Sequence, residues 1–454
     1  MSSNFFGIEI GLNALRSFKT AQEVLGNNIS NVSTPGYVRR EAVLQPVGTP
    51  DSLTGGVTVE NIRRLCDGFA QSRARAAAGA ARQEEYLRDI MLEAEQYLNP
   101  LAEGGLYSRL GEFWSSLQQL SANPADGALR EAVVAGAENV ARSLNDLSGQ
   151  YSSMLAGAGR DAESAVSQIN SRLAEVAALN RQIQEAEASG LQANSLRDQR
   201  DQAVDFISGY MDVSVYESAE GFQVASGGQV LVFGKNALPI AAELSGVPAL
   251  ELKFSAAGNG RELNLGAGKL VGMREAVAGI EELRAGIQKL SDALSSTAAG
   301  SLNAVHRAGF TLAGNPSGES LFTLDSSGLL RVNPLVSANP SLLAASASPN
   351  QGDGDNATAL AGALKSPLAD SMAPAEFISS LASALGLRAA ELEKSADRAG
   401  LLETAAVNRV ESMSGVSLDE ETAKLLELQT SYAAAAKFIS VANNMLDELL
   451  AIIR

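Results

Sequence analysis

The feature that most constrains the fold is an uninterrupted heptad pattern in residues 425–453. Nine apolar positions follow one another at alternating spacings of three and four residues, with charged residues such as Lys424 and Glu427 between them. Apolar residues at this average period form the seam of a coiled coil. We therefore predict a long C-terminal helix over residues 416–454. Its seam consists of Leu425, Leu428, Tyr432, Ala435, Ile439, Ala442, Leu446, Leu449 and Ile453.

A second apolar face lies near the N-terminus, where the spacing of the apolar residues fits one side of a helix. Pro35-Gly36 predicts the end of this helix, because proline disfavours helical geometry in the residue before it. A lone amphipathic helix is marginal in water, so each face needs a partner. The two helices could pair with each other and with copies from neighbouring subunits, or both could pack on one ordinary globular core. The face consists of Ile8, Leu12, Leu15, Phe18, Leu25 and Ile29.

The composition excludes several functional classes. The chain has 35 Lys and Arg against 52 Asp and Glu, and this net charge of −17 argues against a nucleic-acid partner, which needs clustered cations. One cysteine, Cys66, and one histidine, His306, leave no intramolecular disulfide and no Cys-cluster or His-rich metal site, and they argue against His-based acid–base catalysis. No apolar run reaches the roughly 18 residues of a membrane span, so we expect no membrane insertion. No cleaved signal is recognisable, which is typical of a cytoplasmic protein or of one exported without such a signal.

The pattern between the ends predicts a mainly α fold with a β-rich insert. Residues 60–99 and 106–210 favour helices, with Asn123-Pro124 and Gly157-Ala158-Gly159 as candidate breaks. We expect an elongated, multi-domain subunit with a helical-bundle body and a small β domain, whose N- and C-terminal helices pair as a coiled coil. Its predicted parts are an N-terminal helix at 1–38, a linker and the first half of the bundle at 39–210, the β-rich insert at 211–272, the second half of the bundle at 273–415 with a loop-rich segment at 306–370, and the C-terminal helix at 416–454.

Several segments resemble the axial proteins of bacterial flagella. Residues 27–37, Asn-Asn-Ile-Ser-Asn-Val-Ser-Thr-Pro-Gly-Tyr, are similar to the signature Asn-Asn-x-x-Asn-x-x-Thr-x-Gly-Tyr of flagellar rod, hook and hook-associated proteins. Residues 414–421 and 429–437 resemble the closing segment of the same group. Residues 196–201, 302–309 and 352–356 resemble the flagellar hook-associated protein 1 family in particular.

This resemblance implies a structural protein at the junction between hook and filament, without catalytic residues or cofactors. It also implies export by the flagellar type III apparatus, with the protein cytoplasmic before export and extracellular in the flagellum afterwards. The implied partners are other copies of the chain in a ring or tube, the hook protein and a second hook-associated protein on the filament side. An exposed apolar stripe on the C-terminal helix would also suit an export chaperone. The alternatives are another axial protein, either the hook protein or the filament-side adaptor, and a soluble helical binding module.

We assign the assembly interface to the two terminal segments. The asparagines of the signature either bond to neighbouring subunits or simply end the first helix, since asparagine competes for backbone hydrogen bonds. We expect residues 1–38 and 416–454 to be mobile in the monomer and to become ordered on polymerisation. The candidate interface residues are the nine of the C-terminal seam together with Ile8, Leu12, Leu15, Leu25, Asn27, Asn28, Ile29, Asn31, Thr34, Gly36 and Tyr37.

A group of arginines makes the N-terminal region basic within an acidic chain. They either form a solvated face or pair with acidic surfaces of adjacent subunits, including Glu427 or Asp447. The group consists of Arg39, Arg40, Arg63, Arg64, Arg73 and Arg75.

Overall fold

The computed structural model describes residues 2–47, 55–99, 104–190, 192–218, 221–246, 249–258 and 260–453, without the side chains of residues 2–6, 449, 450, 452 and 453. Helices dominate these residues, which confirms the predicted mainly α fold. In chain order they are α1 (Ser2–Ser30), α2 (Gly68–Tyr97), α3 (Leu106–Ala122), α4 (Gly127–Ala188), α5 (Asn194–Tyr210), α6 (Lys269–Ser295), α7 (Leu302–Ala308), α8 (Pro334–Ala338), α9 (Asp355–Ala363), α10 (Pro374–Ser414) and α11 (Leu418–Ile453).

The strands are short and form small antiparallel sheets. They are β1 (Arg40–Pro46), β2 (Val57–Arg64), β3 (Ser214–Ser218), β4 (Gly221–Ser226), β5 (Gln229–Phe233), β6 (Asn236–Ala237), β7 (Ile240–Ser245), β8 (Glu251–Ala256), β9 (Phe322–Leu324) and β10 (Leu330–Val332). The sheet order is β3-β4-β5-β6 in the largest sheet, and β1-β2, β7-β8 and β9-β10 pair as separate hairpins.

The helical body is organised around α4. This helix has 62 residues and, at 1.5 Å per residue, is about 93 Å long. It starts on a capping residue, Asp126, whose carboxylate accepts hydrogen bonds from the amides of Ala128 and Leu129. The predicted break at Gly157-Ala158-Gly159 is wrong, because α4 runs through it. Gly159 instead gives room to a neighbour: a Cβ there would lie 2.9 Å from Cδ2 of Leu244 in β7.

The β-rich insert packs on the same helix. Asn170 of α4 holds β7 by two hydrogen bonds, from its Nδ2 to the carbonyl of Ile240 and from the amide of Ile240 to its Oδ1, both 2.8 Å. Asn180 donates to the carbonyl of Gly234 at 2.8 Å. The predicted strands are therefore present, and α6 begins at Lys269, inside the range 211–272 that the sequence assigned to the insert.

One segment that the sequence favoured as helix is a strand. Residues 60–64 belong to β2, which pairs with β1 across the register Arg40–Arg64 to Pro46–Val57. Val57, Thr58, Val59 and Ile62 in this strand have the β-branched side chains that sheets accommodate well. The following helix α2 starts only at Gly68, where Asp67 caps it by accepting from the amides of Phe69 and Ala70.

A single hydrophobic core joins the body and the insert, and it extends from Leu87 of α2 to Leu385 of α10. Phe113 and Phe322 meet edge-to-face within it, with ring centroids 6.0 Å apart. Among the residues that the structure describes, none from α1, β1, β2 or α11 belongs to this core. These four elements form a terminal module of their own, because α1 packs on α11 and on both strands of the hairpin. No described helix is long and apolar enough to span a membrane.

Candidate assembly interface

The terminal helices α1 and α11 pack antiparallel against each other within one chain, as predicted. At one point Gly11 lies against Ile439, where a Cβ on the glycine would be only 2.4 Å from Ile439 Cγ1. At a second point, nearer the body, Asn28 donates a hydrogen bond to Glu421. The Ile439 side chain can lie directly on the backbone of α1 because Gly11 has no side chain.

The predicted interface residues of α1 differ in how far the single chain covers them. Leu25 is buried. Leu12 is 42% exposed. The half-buried residues are Ile8, Leu15 and Ile29.

The seam of α11 is only partly covered by α1. Tyr432 is exposed, and the side chains of Leu449 and Ile453 lie outside those that the structure describes. The other predicted seam residues are half-buried, namely Leu425, Leu428, Ala435, Ile439, Ala442 and Leu446.

A second row of apolar side chains on α11 is only about half covered by the described part of the single chain. Phe438, Val441 and Met445 follow one another at helical spacing and are 47%, 46% and 59% exposed. The ring of Phe438 reaches α1, where a Cβ on Gly11 would lie 3.5 Å from it, so this row adjoins the part of α1 that carries Leu12. We call Leu12, Phe438, Val441 and Met445 the apolar tip surface.

At the other end of the helix pair, Asn28 is fully buried and uses its whole hydrogen-bonding capacity inside the chain. Its Nδ2 donates to Glu421 Oε2 and to the carbonyl of Arg40, both at 2.8 Å. Its Oδ1 accepts from the hydroxyl of Tyr37 at 2.9 Å and from the amide of Arg40 at 3.1 Å. Glu421 is also fully buried and pairs with Arg39 Nε at 2.7 Å. This set of contacts is the Asn28–Glu421 network.

The other signature residues divide into two groups. Gly36 has φ +73°, a left-handed conformation that favours glycine, and it lies against the Gln202 side chain of α5 in the same chain. Burial raises the pKa of Tyr37, which keeps its hydroxyl a donor to Asn28. Asn27, Asn31 and Thr34, in contrast, bond only to nearby groups of the helix end, which leaves them at or near the surface.

The terminal module meets the body through an ionic cluster that the sequence analysis did not predict. Arg40 Nη2 lies 2.9 Å from Asp198 Oδ2, and Arg64 bridges Asp198 and Asp201 at 2.8 and 2.6 Å. Arg75 of α2 pairs with Asp205 at 2.6 Å. The three carboxylates come from one face of α5, and the three arginines balance their charge. We call these six residues the arginine–aspartate joint.

This joint changes the interpretation of the basic region. Pairing with Glu427 or Asp447 of adjacent subunits is not needed for Arg39, Arg40, Arg64 and Arg75, because each has a carboxylate partner in its own chain. Arg63 pairs across the hairpin with Glu41. Arg73 lies over the ring of Phe69, 5.8 Å from its centroid. The acids at 198, 201 and 205 are spaced three and four residues apart, which places them on one face of a helix. This spacing was the sequence signal that could have indicated the joint.

The remaining candidates have structural environments. His306 is fully buried: its Nδ1 donates to the carbonyl of Glu319 at 2.7 Å and its Nε2 accepts from the amide of Ala344 at 3.1 Å. Burial lowers the pKa of His306, so the ring is held neutral. Cys66 is exposed. Within the described ranges no group of three or more His, Cys, Asp or Glu is placed to hold a metal ion.

Comparison with known families matches three parts of the chain. The family model described as "Flagellar hook-associated protein FlgK helical domain" matches residues 91–322, just over half of the 454 residues. The model "Flagella basal body rod protein" matches residues 8–37, and "Flagellar basal body rod FlgEFG protein C-terminal" matches residues 408–452. The two shorter matches coincide with α1 and its following turn and with the end of α10 plus α11.

Similar proteins include flagellar hook-associated protein 1 of Bacillus subtilis, which is 27% identical over 99% of this chain and 98% of the relative. The protein of the same name from Salmonella typhimurium is 29% identical over 52% of this chain and 44% of the relative, so the match spans less than half of that protein. A solved structure, the flagellar hook junction protein FlgK from Burkholderia pseudomallei, aligns with a TM-score of 0.49 and 27% identity over 56% of this chain and 47% of that one.

The helical-domain match covers the body, and the rod-type matches cover the paired terminal helices that lie outside its core. The two rod-type matches overlap the residues 27–37 and 414–437 in which the resemblance was seen. The chain belongs to the flagellar hook-associated protein FlgK family.

Proposed function

We propose that this chain is a structural, non-enzymatic subunit of the junction between the flagellar hook and filament, and that it polymerises through α1 and α11. The observation that supports this most directly is the apolar tip surface. Its four side chains are 42–59% exposed in the single chain, although they lie beside a helix pair whose seam is already half-buried. An apolar cluster of this kind marks a surface that a partner covers.

The size of the effect favours a closed assembly over a single pairwise contact. Full burial of a large apolar side chain contributes roughly 1.5–3 kcal/mol, so four half-exposed side chains would gain about 3–6 kcal/mol. A gain of this size per copy is modest against the translational and rotational freedom lost on association. In a ring or tube each copy makes such contacts on two sides, and the contacts reinforce one another.

The same surfaces suggest the partners. The helix pair would contact further copies of the chain, with hook protein on one side of the ring and a second hook-associated protein on the other. Because α11 exposes its apolar row before assembly, an export chaperone would cover it in the cytoplasm. After export the subunit would be extracellular, at the hook tip. The candidate interface residues Asn27, Asn31 and Thr34 are surface groups that a neighbouring copy could reach.

The proposal is tested by replacing part of the apolar tip surface. The double variant Phe438→Ser/Met445→Ser, expressed in cells that lack the native gene, should still fold but should leave filaments unanchored, so that filament protein accumulates in the medium and swimming is lost. The purified variant should also stay monomeric under conditions in which the parent sediments as an assembly. The sedimentation readout does not depend on export.

A matched control is Leu401→Ser on α10, which removes an equally large side chain that is 71% exposed but lies on the body. This variant should behave like the parent. Anchored filaments and normal assembly of the Phe438→Ser/Met445→Ser protein would contradict the proposal. A discrete, stable complex with one foreign partner and no polymer would favour the soluble binding module instead.

A further inference from the structure

We infer that Asn28 and Glu421 are positioning residues that set the register of α1 on α11. The inference concerns the folded single chain, so it stands or falls separately from the proposed function. It assigns a purpose to a buried carboxylate and a buried amide in a helix pair that is otherwise apolar at its contact line.

The apolar contact by itself selects the register weakly. The seam of α11 repeats every seven residues, and residues 433–436 are four consecutive alanines whose shape changes little when the helix slides. Sliding α11 by one heptad, about 10.5 Å along the axis, would again set an apolar seam against α1. After such a slip, Leu428 would take the place of Glu421 beside Asn28, and Leu446 would take the place of Ile439 beside Gly11.

The polar contacts discriminate strongly between these registers. In the observed register Glu421 is fully buried and is satisfied by Arg39 Nε at 2.7 Å and Asn28 Nδ2 at 2.8 Å. In the slipped register Asn28 would lose this acceptor, and Arg39 would face a leucine. A buried polar residue that is satisfied in only one alignment is a recognised means of fixing register in helix pairs.

The network also ties this register to the rest of the terminal module. Asn28 bonds to both backbone groups of Arg40 at the start of β1. The amide of Arg39 donates to the carbonyl of Ser414 at the end of α10, and the Arg39 guanidinium also contacts Glu420 at 2.8 Å. Consequently these contacts fix the position of α1 along the axis of α11 and relative to the hairpin. Leu12 is thereby kept beside Phe438.

The test reads the register by disulfide formation in the full chain, with Cys66→Ser as background. Gly11→Cys with Ile439→Cys reports the observed register. Gly11→Cys with Leu446→Cys reports the slipped one, and it carries Ile439→Ala so that the new Cβ at position 11 does not clash in the observed register. With the network intact, mild oxidation should form the first disulfide and only traces of the second. The variant Glu421→Leu/Leu428→Glu moves the acid by one heptad. It should raise the yield of the second disulfide at least tenfold, because the carboxylate can then reach Asn28 and Arg39 only in the slipped register.

A matched control is Glu427→Leu, which removes an exposed acid of the same helix and should leave the first disulfide alone. If the chain with the moved acid still forms only the first disulfide, the apolar seam sets the register and the inference is wrong. If it forms neither, the network contributes stability without selecting an alignment, which also overturns the inference. Detached filaments in cells would not bear on this result, since the readout is intramolecular.

Discussion

The arginine–aspartate joint leads to a specific prediction about how the terminal module is held on the body. Asp198 contacts Arg40 at 2.9 Å and Arg64 at 2.8 Å, and its side chain is only 7% exposed. The substitution Asp198→Asn preserves the size of the side chain but leaves one arginine charge unmatched at the joint. We expect the module to undock from the body while the body stays folded, since the hydrophobic core begins only at Leu87.

The magnitude follows from the burial of the partners. Arg40 and Arg64 are 17% and 10% exposed, so this is a largely desolvated cluster. Removal of one partner from a buried pair costs about 3–5 kcal/mol. Arg64 keeps Asp201 at 2.6 Å and Arg40 keeps the hydroxyl of Ser195 at 3.1 Å, which places the cost near the lower end. About 3 kcal/mol corresponds to a roughly 150-fold larger undocked population.

Hydrogen exchange measures this population at the contact itself. The amide of Ile62 donates to Gln192 Oε1 across the joint at 2.9 Å, so its protection depends on docking. In Asp198→Asn its exchange should accelerate by about two orders of magnitude, while amides in α4 keep their protection. The control Glu175→Gln breaks an exposed pair with Arg172 on α4 and should change neither. Unchanged exchange at Ile62, or a loss of protection throughout α4, would refute the reasoning.

Two further predictions concern the body. The neutral ring of His306 accepts a hydrogen bond from the amide of Ala344, and burial lowers the pKa of this ring below the ordinary value of about 6.5. As the pH falls, the histidine of the unfolded chain therefore binds a proton before that of the folded chain does. Stability should therefore be complete above about pH 6.5 and decrease below it, and urea unfolding at pH 7.5 and 5.5 should show a smaller difference in His306→Phe than in the parent. In α4, Gly159→Ala should gain less stability than Gly149→Ala because its Cβ would displace the Leu244 side chain, whereas Gly149→Ala, with nothing within 4 Å, should stabilise by about 0.5–1 kcal/mol. Equal effects of the two substitutions would show that helix propensity alone decides the outcome.

The long helices and the β insert could be predicted from the sequence because their signals are local. The heptad pattern places α11 at 418–453, and the alternation of valines and glycine turns places β3 to β8. The hairpin at 40–64 was missed although its strands have seven and eight residues, because both are partly exposed and neither alternates regularly between buried and exposed positions. The predicted division into domains remains a prediction, as does the mobility of residues 1–38 and 416–454 in the monomer.

The interface was predicted less completely, for two physical reasons. Hydrophobic periodicity selects large side chains, whereas Ile439 of α11 packs on Gly11, a residue that such a pattern does not select. The arginine–aspartate joint brings Arg40 and Asp198 together from positions 158 residues apart, and no local pattern specifies such a pair. Asn28 was assigned to the assembly interface, and the bonds that the structure gives it are all made inside the chain.

The continuous helix α4 has a mechanical consequence. One half of it carries the β insert through Asn170 and Asn180, and the other half holds the loop-rich segment through Asn145, which bonds to Leu330, and Arg130, which bonds to Leu343. A force applied to the insert would therefore be transmitted along one unbroken backbone of about 93 Å to the far end of the body. The joints of a rotating appendage experience torsion and bending. Because α4 is continuous, it would distribute such a load over the subunit, whereas a turn would concentrate it at one point.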